Sequence, residues 1–119
     1  MTNNDKELLL KDLCARLPYG VKLKFNYIIT SPAILKGINK DFIECDIAAC
    51  ELEDVKPYLF PLSSITEEQE KELNNYLMTD KKIMMRSVKE IDWLYKHHFD
   101  VHNLIPIGLA INATNLNIY

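Results

Sequence analysis

The segment IDWLYKHHFDVH, residues 91–102, contains the most varied group of reactive side chains in the sequence. It holds His97, His98 and His102 together with Asp100. Imidazole and carboxylate groups are ligands of zinc and other divalent metals, so a metal site is one hypothesis. Adjacent helical residues, however, point about 100° apart, whereas histidines that share a metal ion on one helix stand at i and i+4. We therefore interpret the segment as a helix end, with His98 packed inward and His97 near the helix dipole.

Other catalytic groupings have still less support. Ser63 and Ser64 lack the flanking glycines of a hydrolase nucleophile, and a pairing of Cys14 with His98 has no spacing that supports it. The 3 glycines are too scattered for a phosphate-binding loop. The acidic cluster at 67–70 is typical of a solvated helix start. We expect that the protein is not an enzyme and needs no cofactor.

The segment KPYLFPL, residues 56–62, carries four large side chains: Tyr58, Leu59, Phe60 and Leu62. One side of an extended strand cannot bury them all, so some are expected to contact a protein partner or a second copy of the chain. This favours an adaptor or accessory factor that acts through protein–protein contacts. In the alternative, the segment crosses between sheet and helices and buries both faces.

The polar side of the predicted strands carries four lysines: Lys22, Lys24, Lys36 and Lys40. Basic side chains near an aromatic ring, here Tyr27 or Phe42, are typical of nucleic-acid-binding sheets. The formal charge of −3, with 14 basic and 17 acidic residues, argues against strong non-specific binding to phosphate backbones. A small nucleic-acid-binding module is therefore the alternative function, ranked below the adaptor.

Two elements are expected in the amino-terminal part. Leucines at helical spacing, beginning with Leu9, predict a helix with a cap at Asn4 and Glu7, and Pro18 and Gly20 end it. Apolar and polar residues then alternate from Val21 to Ile29, which predicts a strand.

The middle of the chain is predicted to be an antiparallel meander. AILKGINKDFIECDI indicates two strands joined by a turn at 39–41, and Ile43, Cys45 and Ile47 are expected to share a face. Pro57 and Pro61 exclude a central strand and favour an edge strand or an extended crossover.

Two further helices are expected near the carboxyl end. Ser64 or Thr66 can cap the first, which should end near Thr79. Ser87 and Glu90 repeat the capping pattern for the second. Its expected inner stripe is Val88, Ile91, Leu94, Tyr95 and His98.

These elements predict an α+β fold: an amino-terminal helix, a small antiparallel sheet of three to five strands, open or closed into a barrel, and two carboxy-terminal helices that cover it. A chain of 119 residues is expected to form a single domain, 1–119.

The sequence also bears on the cellular compartment. The charged amino terminus differs from a signal peptide, and no apolar run approaches the roughly 20 residues of a membrane span. The 3 cysteines lack disulfide or zinc-ribbon spacing, so they are expected to be reduced. We expect a cytoplasmic protein without a membrane partner.

Three stretches, LLLKDLCARLPYGV, EDVKPYLFPLSSITEEQ and DWLYKHHFD, the last followed by GLA, carry a resemblance that covers both ends and the centre of the chain. They resemble a family of small uncharacterised proteins of gut Bacteroidales, often encoded in phage-like or other mobile-element neighbourhoods. The resemblance implies this context and no mechanism.

The sequence departs from this family at two places. After Asp100 the family usually reads Tyr-Arg-Gly-Leu, whereas this chain has Val-His-Asn-Leu at 101–104. Before the paired histidines it has Tyr95 and Lys96 in place of the frequent Asn-Ala. A metal site that required His102 would therefore not be a family property.

Overall fold

The computed structural model describes four stretches of the chain: residues 2–25, 32–39, 42–78 and 83–119. Helix α1, Asn3–Arg16, begins with a capping box in which the Thr2 hydroxyl accepts a hydrogen bond from the Asp5 amide at 3.1 Å. The cap therefore lies two residues before the predicted one, because Thr2 and Asp5 satisfy the first amides of the helix. A 3₁₀ turn at Leu17–Tyr19 follows, and Gly20, with φ of 63°, ends it.

Six strands form one mixed sheet: β1 Lys22–Phe25, β2 Ala33–Ile38, β3 Ile43–Cys45, β4 Ala49–Cys50, β5 Val55–Leu59 and β6 Ile111–Asn112. Their order across the sheet is β4-β3-β2-β1-β5-β6. All neighbours are antiparallel except β5 and β6, which are parallel. The α+β prediction is confirmed; the described strands form an open sheet that ends at β4 and β6, and the barrel alternative is wrong.

Strand β5 lies inside the sheet, between β1 and β6, so the prediction of an edge strand or crossover is wrong. The prolines permit this position because neither lies where β6 pairs with β5. That parallel pairing involves Tyr58 and Leu59, whereas Pro57 precedes it and Pro61 follows the strand. The missing proline amides therefore interrupt no hydrogen bond of that pairing.

Helix α1 covers the apolar face of the sheet. Its Leu9 and Leu13 are fully buried against side chains from the three central strands. The buried residues of these strands, with Val21 directly before β1, include Leu23, Phe25, Ala33, Leu35, Val55 and Leu59. The alternation predicted for β1 is confirmed as far as Phe25, while Tyr27 and Ile29 lie outside the described residues. Ile47, predicted to share the inner face, lies in a bend and is 55% exposed.

Helices α2, Glu67–Met78, and α3, Ile83–Lys96, pack around a second apolar cluster. Leu73, Trp93 and Phe99 form its buried part. Thr66 is the cap of α2, because its hydroxyl accepts from the Gln69 amide at 3.1 Å and the Gln69 side chain accepts from the Thr66 amide. The prediction that the two carboxy-terminal helices cover the sheet is thus only partly met, since α1 supplies the helical side of the main core.

The predicted start of α3 is wrong, and so is the first half of its predicted inner stripe, whereas Leu94 packs against the second apolar cluster and His98 is turned inward, as predicted. The helix begins at Ile83, before the predicted cap at Ser87. Val88 is 62% exposed and Ile91 47% exposed. The helix is instead oriented by Trp93, which stacks on Phe99 with ring centroids 5.9 Å apart.

The stretch after α3 is irregular apart from strand β6. Phe99 forms a parallel bridge with Phe60, which extends the pairing of β5 beyond its end. His98 and Asn103 have φ of 65° and 59°, and each allows the chain to change direction. No helix in the described part of the chain is long and apolar enough to cross a membrane.

Candidate functional site

The four candidate partner-binding residues lie in different environments. Leu59 is fully buried, so it is unavailable to a partner in the folded state. Phe60 packs against Phe99 and Tyr119, with centroid distances of 6.1 and 5.7 Å. Tyr58 is half-buried on the opposite side of β5 from Leu59. Leu62 is the exposed member of the set, at 47%.

Leu62 borders a shallow groove of about 300 Å³. Apolar atoms of Pro61, Leu62, Ile105 and Pro106 line most of it. Ile107, directly after the second wall, is 53% exposed. The groove therefore joins one large exposed apolar side chain, Leu62, to a concave and mainly apolar surface.

The wall that carries Leu62 is a 3₁₀ turn, Leu62–Ser64, which is held by local hydrogen bonds. The Ser64 amide and hydroxyl both donate to the Pro61 carbonyl, at 2.9 and 2.6 Å. The Ile65 amide donates to the Leu62 carbonyl at 3.3 Å. These bonds fix the backbone from which Leu62 projects.

The opposite wall is organised by a buried carboxylate. Asp100 is 4% exposed, and its two oxygens accept from the amides of Leu104 and Ile105 at 2.8 and 2.9 Å. The Gly108 amide donates to the Ile105 carbonyl at 3.1 Å. Because both walls are held by hydrogen bonds, the groove is preformed, which lowers the entropic cost of binding.

The lysines of the alternative hypothesis lie on the side of the sheet opposite α1. Lys24 is exposed and stands directly opposite Lys56, a residue that the sequence argument missed. Lys36 is exposed on β2. Lys40 and Tyr27 lie outside the described residues, and Phe42 lines a shallow pocket beside β4, away from β1 and β5.

Lys22 is partly engaged by the end of the chain. Its ammonium donates to the Ile118 carbonyl and lies 5.5 Å from the centre of the Tyr119 ring. The Lys22 amide donates to the Tyr119 hydroxyl, which donates in turn to the Tyr58 carbonyl, each at 2.8 Å. Lys22 therefore belongs to the lysine-bearing face, with fewer free donors than Lys24.

The three histidines point to three different partners. The Nε2 atom of His97 lies 3.6 Å from a Glu72 carboxylate oxygen, and that of His102 lies 2.7 Å from the Tyr95 hydroxyl oxygen. The His98 ring stacks on Tyr119 with centroids 3.8 Å apart. Within the described stretches, no three His, Cys, Asp or Glu side chains are placed to hold a metal ion.

His98 is held in its neutral form. Burial, reinforced by the positive charge of Arg16, lowers its pKa from 6.5 to about 4. In the described part of the chain, its Nδ1 atom is buried and has no hydrogen-bond partner. The inward orientation predicted for His98 agrees with this environment.

A cleft of about 220 Å³ lies between α2 and α3, beside the 3₁₀ turn that follows α1. The Tyr19 hydroxyl donates to a carboxylate oxygen of Asp92, and this hydrogen bond raises the pKa of Tyr19. Glu72 and His97 form the opposite part of the lining. Among the described side chains that line this cleft there is no serine or cysteine nucleophile.

Asp12 and Arg16, both on α1, form a fully buried ion pair that the sequence did not lead us to expect. Two hydrogen bonds of 2.7 and 3.1 Å join the side chains, and Arg16 also donates to the Phe99 carbonyl. The guanidinium carbon lies 5.0 Å from the centre of the Tyr95 ring. A signal for the pair exists in the sequence, since both residues fall on the helical stripe of Leu9 and Leu13.

No family model, curated protein or solved structure matches the chain significantly.

Proposed function

We propose that the protein is a non-enzymatic adaptor or accessory factor that acts through protein–protein contacts, with the groove beside Leu62 as its contact surface. The observation that carries this proposal is Leu62 itself, a large apolar side chain that is 47% exposed on a hydrogen-bonded turn. From the resemblance of the sequence, we further propose that it serves a phage-like or other mobile element in the cytoplasm.

The physical argument rests on the cost of exposed apolar surface. A large apolar side chain held in water lacks the free energy that burial would provide, roughly 25 cal/mol per Å². Leu62 is about half exposed and lines the groove together with the apolar atoms of Ile105 and Pro106. Grouped apolar residues beside a concavity are typical of protein interaction sites.

The side chains that line the groove indicate which kind of partner would bind there. Both oxygens of Asp100, an acidic residue of the lining, already accept backbone hydrogen bonds, and the residue is 4% exposed, so it presents little polar surface to a partner. A partner is therefore expected to insert an aliphatic or aromatic side chain from a short segment, and the chain's own Leu62 would fill a matching recess.

Site-specific photocrosslinking tests this proposal. A photoreactive phenylalanine analogue at position 62 should crosslink one discrete protein in extract of the host cell, whereas the same analogue at Ile47 should not. Ile47 is a matched control because it is also about half exposed and lies near β3 and β4, at the other end of the sheet.

A charge substitution provides the second arm. Leu62→Asp should abolish the interaction with the crosslinked protein and leave the melting temperature within a few degrees of wild type, since an exposed substitution costs little stability. Sedimentation at rising concentration distinguishes a second copy of the chain from another protein. A monomer that gives no crosslink at position 62 would refute the proposal.

A further inference from the structure

We propose that the face of the sheet opposite α1 binds single-stranded nucleic acid through Lys24, Lys56 and Lys22. This activity is separate from the partner contact at Leu62. With both surfaces in use, the molecule would bind a protein partner at the groove beside Leu62 and a nucleic acid strand on the sheet.

Two like charges face each other at the centre of the sheet. Lys24 on β1 and Lys56 on β5 are paired across the antiparallel ladder, and both side chains point away from the buried face. Side chains opposite each other in such a pair have Cβ atoms about 5 Å apart, and like charges at this distance are destabilising. An anion bound between them would remove that repulsion.

Among the residues that the structure describes, no carboxylate forms an ion pair with Lys24 or Lys56. The ion pairs of the described residues join Lys6 with Glu53, Arg16 with Asp12 and His97 with Glu72. Within the same residues, Lys24 and Lys56 form no ion pair. The ammonium groups are thus available to an outside ligand.

Within the described strands the acidic residue is Glu44 on β3, and both Glu44 and Asp46, which follows β3, are already engaged. Glu53 and Asp54 lie in the 3₁₀ turn before β5, and Glu53 pairs with Lys6. Asp46 accepts from the Ile34 amide at 2.9 Å, and Glu44 on β3 accepts from the Asn39 side chain at 2.9 Å. Strand β2 separates β3 from β1. The sheet therefore has a basic side at β1 and β5 and an acidic side at β3, although the chain as a whole is acidic.

The arrangement of these groups favours a single strand. Lys22 and Lys24 follow one another on the same face of β1, and Lys56 stands opposite Lys24 on β5. A row of this kind suits the successive phosphates of a single strand. Tyr58 lies beside these lysines on β5, whereas the Tyr119 ring next to Lys22 is stacked on His98 and packs against Phe60. Lysines that follow a phosphate backbone, with aromatic rings for unpaired bases, form the usual single-strand surface.

The expected affinity is modest because few phosphates are contacted. Three lysine–phosphate contacts should give a slope of log affinity against log salt of about −2 for a single strand. With a net charge of −3, binding is expected in the micromolar range at low salt.

Fluorescence anisotropy with a labelled oligothymidylate of about fifteen nucleotides tests the proposal. The double variant Lys24→Glu/Lys56→Glu should bind at least about tenfold more weakly than wild type. The control Lys11→Glu/Lys71→Glu makes the same change in net charge at exposed positions of α1 and α2, and should bind within about twofold of wild type. Leu62→Asp should bind as wild type does, which separates this surface from the partner groove.

Three results would overturn the proposal, provided that melting curves show each variant folded. The first is no change in anisotropy at about 100 µM protein in low salt. The second is an equal loss of affinity in the two double variants, which would indicate a general charge effect. The third is tighter binding to a duplex of the same length.

Discussion

His98 is the side chain whose protonation is most altered by the fold. Its ring stacks on Tyr119 and its Nδ1 atom is buried. The positive charge of Arg16 disfavours protonation of the imidazole. Its φ of 65° also places it in a backbone region that histidine rarely adopts. The residue therefore depends on being neutral.

This environment predicts a dependence of stability on pH. The pKa of His98 is about 4 in the folded state against 6.5 ordinarily, so the unfolded chain binds a proton first as the pH falls. The contribution of His98 to the free energy of unfolding is therefore fully present above about pH 6.5 and is lost as the pH falls towards about 4. The full difference corresponds to roughly 3 kcal/mol, and partial exposure of the ring reduces it to about 1 to 2 kcal/mol.

Urea unfolding of wild type and His98→Asn measures this effect, since asparagine tolerates the same backbone conformation. Between about pH 7 and about pH 5, the wild type should lose about 1 kcal/mol more than the variant. Parallel stability curves for the two proteins would show that His98 is not held neutral.

At the scale of elements, α1 is attached to the rest of the molecule by charge as well as by leucines. The buried Asp12 and Arg16 join the helix to the Phe99 carbonyl, next to the bridge between Phe99 and Phe60. A buried ion pair adds little net stability, but removal of one partner leaves the other charge unpaired in the core.

Asp12→Ala should therefore lower the free energy of unfolding by about 3 to 5 kcal/mol. Glu7→Ala, at an exposed position of the same helix, should cost well under about 1 kcal/mol. The double variant Asp12→Leu/Arg16→Met should be more stable than Asp12→Ala, because no charge is left unpaired. Equal stability of Asp12→Ala and Glu7→Ala in urea titrations would contradict the role given to the pair.

The sequence predicts an element well when the element is oriented by its own periodicity. The leucine stripe of α1 and the alternation in β1 both face the core, as expected. The orientation of α3 could not be found in this way, because Phe99, outside the helix, fixes Trp93. Its stripe through Val88 and Ile91 therefore faces away from the core.

The candidate surfaces were predictable only in part, for a similar reason. Leu62 and Lys24 could be singled out by residue type and local pattern. The groove also needs the turn that contains Ile105, and the basic pair needs the register that brings Lys56 opposite Lys24. Both depend on contacts between residues far apart in the chain, which composition and periodicity do not encode.

At the scale of the whole molecule, the three histidines contact different parts of the fold, and this argues against a shared metal site. His97, His98 and His102 are close in sequence but engage Glu72, Tyr119 and Tyr95 respectively. Adjacent positions in a chain do not make a common ligand set unless the side chains converge.

We therefore predict that protein purified without a histidine tag contains well under about one equivalent of zinc or another divalent metal. A chelator should leave its melting temperature unchanged, since no metal contributes to the folded state. Elemental analysis and thermal melts provide the measurement. One tightly held zinc per chain, lost in each of His97→Ala, His98→Ala and His102→Ala, would contradict this prediction.

The hydrogen bond from the Lys22 amide to the Tyr119 hydroxyl joins residues 97 positions apart. During synthesis on the ribosome, β1 emerges long before β6 and Tyr119, so this part of the sheet cannot be completed until Tyr119 has left the ribosome. Contacts between such distant residues slow folding, because the intervening chain must first lose its conformational freedom. The nascent chain accordingly exposes apolar strands until that point, and its yield in cells should depend on chaperones more than that of a helical protein of equal length.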